Sequence, residues 1–138
     1  MMPAALNVDQ ALFLDFDGTL VELAPTPDAV VLNANRKKIL KSVRSRIKGA
    51  FAIVSGRKMS DLDRLLGPNR FNLAAEHGAI IRLDGREVTI LPPLHPIPGE
   101  WLAALRNGAR FWPEAIVEVK DFGIAIHYRQ SPQFAEEI

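Results

Sequence analysis

Ala11-Leu12-Phe13-Leu14-Asp15-Phe16-Asp17-Gly18-Thr19-Leu20, residues 11–20, is the stretch on which the fold of this chain turns. Four apolar residues run without interruption and stop at two carboxylates two positions apart. Such a run with an abrupt polar end reads as a parallel strand buried on both faces, its C-terminal end opening on a polar crevice. In α/β sheets that crevice is where ligands bind, and local backbone amides there can face a phosphate. Placed so, one carboxylate can attack phosphorus to form an acyl phosphate. The other can protonate the departing oxygen and then deprotonate the water that cleaves the intermediate. Bringing an anion to an anion calls for a hard dication, and magnesium suits the task because it prefers carboxylate and carbonyl oxygens and keeps open positions. The plainer alternatives are a turn at Asp17-Gly18 or a calcium loop. A calcium loop starting at Asp15 lacks the glycine at its sixth position and the glutamate at its twelfth.

Outward from this strand the pattern alternates. From Asn33 to Lys48, Ile39, Leu40, Val43 and Ile47 fall at three-and-four spacing, with Arg36, Lys37, Lys38, Lys41, Arg44 and Arg46 on the other side, which predicts an amphipathic helix. Gly49 closes it. Ala50-Phe51-Ala52-Ile53-Val54 is a second buried run, again halted by small polar residues, Ser55-Gly56-Arg57. Ser60 then precedes a short helix bearing Leu62, Leu65 and Leu66 and stopped by Gly67-Pro68, and Asn72-Leu73-Ala74-Ala75 gives a third strand before Glu76-His77-Gly78. Strand, helix, strand, helix, strand is the order of a doubly wound α/β sheet.

After Gly78 the texture changes. Ala79 to Leu83 and Glu87 to Leu91 flank Asp84-Gly85-Arg86, whose Asp-Gly pair predicts a tight hairpin. Pro92, Pro93, Pro96 and Pro98, with His95 among them, make a stiff connector. A helix from about Pro98 to Arg110 follows, with Trp101, Leu102 and Leu105 on one side. Trp101, Phe111 and Trp112 are expected in the core of this second module. Ile116 to Lys120 and Phe122 to Tyr128 alternate as two antiparallel strands around Asp121, and Ser131 to Ile138 reads as the start of a helix. The expected domains are therefore residues 1–91, an α/β core with its hairpin, and residues 92–138, the start of an α/β cap.

Composition narrows the function. The 138 residues carry a formal net charge of +1, so no global field draws the chain to nucleic acid or anionic lipid. The basic face of the helix after Asn33 lacks interleaved aromatics and reads as solvated. Cysteine is absent, which removes disulfides and thiolate chemistry and suits a cytoplasmic location. No apolar run approaches the roughly 20 residues of a membrane span, and the N-terminus does not look like a signal peptide.

Taken alone, Ser55-Gly56-Arg57 is a common turn with a solvated arginine. Its place after a second buried strand, behind Asp15-Phe16-Asp17-Gly18-Thr19-Leu20, resembles the first two motifs of the haloacid dehalogenase superfamily. Ile53-Val54-Ser55-Gly56-Arg57, Glu76-His77-Gly78-Ala79, and Glu118-Val119-Lys120 with His127-Tyr128-Arg129 are further similar to its trehalose-6-phosphate phosphatases, over nearly the entire chain. The resemblance implies a Rossmannoid parallel sheet with an α/β cap that closes over the sugar. It implies hydrolysis of trehalose 6-phosphate in trehalose biosynthesis, with Asp15 as nucleophile and Asp17 as general acid/base. Both aspartates would bind magnesium, Asp17 through its backbone carbonyl. Ser55 would hold the phosphoryl group, with Gly18, Thr19, Gly56 and Arg57 beside it, and Thr19 would support the Asp17 side chain. Glu118 and Lys120 would contact glucose hydroxyls, with His77, His127 and Arg129 as further substrate candidates. A carboxylate and an ammonium two apart on a strand share one face and can bracket vicinal hydroxyls, although a surface ion pair gives the same spacing.

The superfamily also uses a later lysine and an acidic pair on a fourth strand, and neither motif follows here; Lys120 and Glu136-Glu137 do not stand in for them by position. The chain is accordingly expected to be truncated, with the strand from Ala11 to Phe16 left as an open edge through which it could self-associate. A non-catalytic binding or regulatory remnant is the alternative from another class. Sucrose-phosphate and mannosyl-phosphoglycerate phosphatases are rivals within the same chemistry, and a two-domain synthase/phosphatase is a third possible parent. No nucleic-acid or membrane partner is expected.

Overall fold

The computed structural model describes residues 9–67, 71–89 and 97–138, with the backbone alone at 87–89. Two compact units, Met1–Ile90 and Leu91–Ile138, make up the chain. The first is a five-stranded sheet in the order β1-β2-β3-β4-β5, with strands β1 (Leu12–Asp15), β2 (Phe51–Val54), β3 (Asn72–Ala75), β4 (Ile80–Leu83) and β5 (Arg86–Thr89). β1, β2 and β3 pair in parallel, and β4 and β5 continue the sheet antiparallel. The hairpin after Gly78 is therefore an extension of the first sheet.

Helix α1 (Ala34–Arg46) links β1 to β2, and α2 (Met59–Leu66) links β2 to β3. Asn33 caps α1 by accepting a hydrogen bond from the Arg36 amide at 2.8 Å. At the other end Lys48 and Gly49 both take left-handed backbone angles, φ 51° and 85°, and the Gly49 amide donates to the Arg44 carbonyl at 2.8 Å, the form of stop for which glycine is favoured. The predicted apolar face holds for Leu40, Val43 and Ile47, but Ile39 is exposed. It lies one position before Leu40, about 100° round the helix, and so falls off the buried stripe. The hairpin turn is two residues, Asp84 and Gly85, at φ 48° and 78°, with Leu83 opposite Arg86, as an Asp-Gly sequence predicts.

The core lies on one side of the sheet. Phe51, Ile53, Leu73 and Ala75 from the strands meet Leu40, Ile47, Leu62, Leu65 and Leu66 from the helices, with Phe16 and Phe71 filling the ends. Arg82 of β4 is buried on this side and ion-pairs with Asp63 of α2, its Nη2 donating to Oδ2 at 2.8 Å. The register puts Phe13, Ala52, Val54, Ala74, Ile81 and Leu83 together on the opposite face, where Phe13 is 68% and Leu83 51% exposed. β1 and β2 are thus covered on one face, and the expectation of burial on both is overturned. A continuous apolar run fits both situations, because every second side chain is apolar whether or not a layer covers it. β1 lies at one edge of the sheet of described strands, with β2 as its neighbour.

In the second unit, α3 (Gly99–Gly108) is followed by a 3-10 turn at Ala109–Phe111 and an antiparallel pair, β6 (Ile116–Val119) with β7 (Ile124–His127). Trp112 packs its ring over Gly108. Trp101 and Phe111, expected in a core, are exposed, Phe111 to 78%. Ser131 to Ile138 forms a 3-10 turn at Pro132–Phe134 in place of a longer helix. The proline connector from Pro92 to Pro96, with His95, lies outside the described residues.

Candidate active site

Parallel pairing of β1, β2 and β3 brings three strand ends side by side, Asp15 opposite Val54 and Val54 opposite Ala74. The turns that follow them, at Asp17, Ser55 and Glu76, therefore converge. After β1 the chain folds tightly, with the Leu20 and Val21 amides donating to the Phe16 carbonyl at 2.9 and 3.1 Å and the Gly18 amide to the Val21 carbonyl at 2.9 Å. Gly18 takes φ 82° in this turn, a left-handed angle that glycine adopts without a steric penalty. Phe16 is driven into the core while Asp15 stays exposed and Asp17 half-buried. Thr19 Oγ1 donates to Asp15 Oδ2 at 3.2 Å, so the threonine steadies Asp15 and not Asp17 as the resemblance implied.

Ser55 is buried at the end of β2. Its Oγ accepts from the Arg57 amide at 3.1 Å, and its backbone is clamped on both sides, the amide donating to Ala74 O at 2.8 Å and the carbonyl accepting from the His77 amide at 3.0 Å. With its oxygen accepting from the backbone, the hydroxyl keeps its proton to donate to an anion. The Arg57 side chain does not project as a solvated charge. Its Nε and Nη2 donate to the two carboxylate oxygens of Asp17 at 2.8 and 2.7 Å, and its Nη1 donates to the Pro27 carbonyl at 2.9 Å. This fork across a separation of 40 residues in sequence has no local signal by which one sequence could announce it.

The third wall is Glu76-His77-Gly78, three successive residues at positive φ, 47°, 59° and 97°. Left-handed angles at two non-glycine residues are uncommon, and such strain gathers at functional sites. The turn sets the His77 ring against Gly56, where a Cβ would stand 2.5 Å from Nε2. Glu76 is buried and its amide donates to the Arg57 carbonyl at 3.0 Å. Sequence alone assigns Glu76 no role of its own, although Glu76-His77-Gly78-Ala79 is one of the segments that carry the resemblance.

In the second unit the β6–β7 register puts Glu118, Ala125 and His127 on one face, with Val117 and Val119 on the other. His127 Nε2 lies 2.6 Å from Glu118 Oε2, and Lys120 Nζ lies 3.8 Å from the same oxygen. Glu118, Lys120 and His127 are thus brought together. Arg129 is exposed just beyond β7.

Among the described residues, no group of three or more His, Cys, Asp or Glu side chains is gathered as a metal site. The Asp15 carboxylate and the Asp17 backbone carbonyl are hard oxygen donors. They fit magnesium as part of a coordination set, since magnesium is commonly held by one or two carboxylates and keeps several waters.

Solved structures share this arrangement of strands. A protein described as related to trehalose-6-phosphate phosphatase superposes over 93% of this chain and 58% of its own, at TM-score 0.73 and 21% identity. The C-terminal domain of trehalose-6-phosphate phosphatase from C. albicans matches over 91% of this chain and 44% of its own, at TM-score 0.72 and 23% identity. The fold is accordingly the α/β fold of these structures, parallel β-α-β units extended by an antiparallel hairpin, of which this chain covers 58% and 44%.

Sequence narrows the class. The trehalose-phosphatase family model matches residues 13–137. Trehalose-6-phosphate phosphatase of Escherichia coli K12 is 37% identical over 133 residues, covering 96% of this chain and 50% of that protein. The probable trehalose-phosphate phosphatase of Sinorhizobium fredii is 37% identical over 135 residues, 94% of this chain and 49% of its own. The chain belongs to the trehalose-phosphatase family, and it spans about half the length of these curated relatives. No helix among the described residues is long and apolar enough to cross a membrane.

Proposed function

We propose that the chain carries the nucleophile half of a phosphatase that hydrolyses trehalose 6-phosphate to trehalose and inorganic phosphate. The observation behind this reading is that Asp15, Asp17 and Ser55 meet at adjacent parallel strand ends in a chain of the trehalose-phosphatase family. A carboxylate oxygen of Asp15 bonds to phosphorus as the bond from phosphorus to the sugar oxygen breaks, and Asp17 supplies the proton that oxygen takes up. Water then attacks phosphorus, giving its proton to Asp17, and the bond to Asp15 breaks to release phosphate. The buried Ser55 hydroxyl, with Gly18, Thr19 and Gly56, lines the place of the phosphoryl group. Magnesium, bound by Asp15 and the Asp17 carbonyl, would supply the positive charge that lets carboxylate and phosphate meet. In the second unit Glu118, Lys120 and Arg129 would bind sugar hydroxyls; in the first, His77 is a further substrate-binding candidate. A cysteine-free chain suits work in a reducing cytoplasm.

The experiment is release of phosphate from trehalose 6-phosphate with magnesium, beside sucrose phosphate and mannosyl phosphoglycerate. Any release is expected to be selective for trehalose 6-phosphate and to fall by about a thousandfold or more in Asp15→Asn, as loss of a covalent nucleophile does elsewhere. Chelation should stop it and added magnesium restore it. A folded sample that releases nothing would make the chain a fragment or a non-catalytic binding remnant, with the activity that of the family alone, and release that Asp15→Asn leaves undiminished would sink the reading.

A further inference from the structure

We infer that Arg57 is a positioning residue for Asp17, in place of the phosphate ligand that the sequence suggests. The catalytic meaning of this role rests on the function proposed above. The Arg57 side chain is 10% exposed and held at both ends. Its Nε and Nη2 engage both carboxylate oxygens of Asp17, and its Nη1 engages the Pro27 carbonyl. Its Cζ lies 5.7 Å from the centroid of the Phe16 ring, within cation–π range. Its own backbone is tied to Ser55 Oγ and to the Glu76 amide. At least three of the five guanidinium N–H groups are therefore directed at fixed acceptors of the protein, two of them at a single carboxylate.

The fork has a chemical consequence. Each carboxylate oxygen carries two acceptor sites. A bidentate guanidinium uses one on each and fixes the plane of the group, leaving the second on each oxygen to carry or take a proton. Arg57 thus orients Asp17 without blocking it, and does so from the loop after β2 that also carries Ser55. Only a planar fork can do this, because a lysine offers one ammonium point charge. A phosphate ligand would behave differently, since much of its effect survives as charge alone.

Two measurements separate the roles. In a nitrogen-15 spectrum of the whole chain, the Arg57 Nε–H resonance should be slow to exchange and unmoved by inorganic phosphate with magnesium, and it should be lost or shifted strongly in Asp17→Asn. Movement with phosphate, or an unchanged signal in Asp17→Asn, would overturn the inference, and the phosphate titration needs no variant to fold. In turnover, Arg57→Lys and Arg57→Gln should lose kcat to a similar extent with little change in KM. A raised KM in Arg57→Gln rescued by Arg57→Lys would restore the phosphate role. If the unaltered chain releases no phosphate, the turnover comparison falls away, and the Arg57 resonance still decides whether the fork holds Asp17.

Discussion

Gly56 shows how little space separates the second and third walls of the site. A methyl group there would stand 2.5 Å from His77 Nε2, a distance at which the imidazole must shift. Gly56→Ala is expected to destabilise the chain by about 1–3 kcal/mol, the usual range for forcing an extra carbon into a filled space. His77→Gly in the same chain should recover much of the loss, since glycine removes the ring and accepts the left-handed angle that His77 holds. Urea denaturation of the single and double variants checks this, and additivity of the two changes would show that they do not meet. At this scale the sequence was legible where chemistry is local. Asp15-Phe16-Asp17 and Ser55-Gly56-Arg57 point to the strand ends by themselves, whereas the Arg57 fork on Asp17, the Thr19 bond to Asp15 and the Glu118–His127 contact depend on side chains that only folding brings together.

Among the elements, α2 carries the packing of the first unit, with Leu62 fully buried beneath the sheet. Leu62→Ala is expected to cost about 2–5 kcal/mol, and Asp63→Ala about 1–3 kcal/mol by depriving the buried Arg82 of its carboxylate. Thermal or urea unfolding measures both, and a loss at Asp63 below a few tenths would show the ion pair to be incidental. Strands and turns were readable because apolar runs end in strong punctuation, and β3 occupies the stretch predicted for it, Asn72–Ala75. Helix faces were less so. Ile39 and Trp101 satisfy an apolar periodicity yet stand in solvent, because periodicity names a stripe and not what covers it.

For the whole molecule, the feature the sequence concealed is that, among the described residues, one side of the first sheet is bare. Phe13, Val54 and Leu83 share one face and all are exposed, beside β1 at the edge of the described strands. Large apolar patches and open edges are both routes to association. We expect the chain to self-associate in a concentration-dependent way, and Phe13→Glu to reduce that without lowering the unfolding midpoint appreciably. Sedimentation velocity reads the first effect, and a monomer at all concentrations in the unaltered chain would remove the idea.

The position of β1 also bears on when the site exists at all. β3, β4 and β5 are joined by short local connections, which close quickly, while β1 reaches its partner only after α1 has been laid between them, a slower closure by loop-entropy arguments. With one neighbour among the described strands to hold it, β1 is also expected to detach more easily than β2, which has two. Native-state hydrogen exchange should find the amides of β1 less protected than those of β2, and equal protection would contradict this. The strand that ends in Asp15 would then be the last piece assembled and the first released on warming, so that loss of chemistry precedes loss of the core.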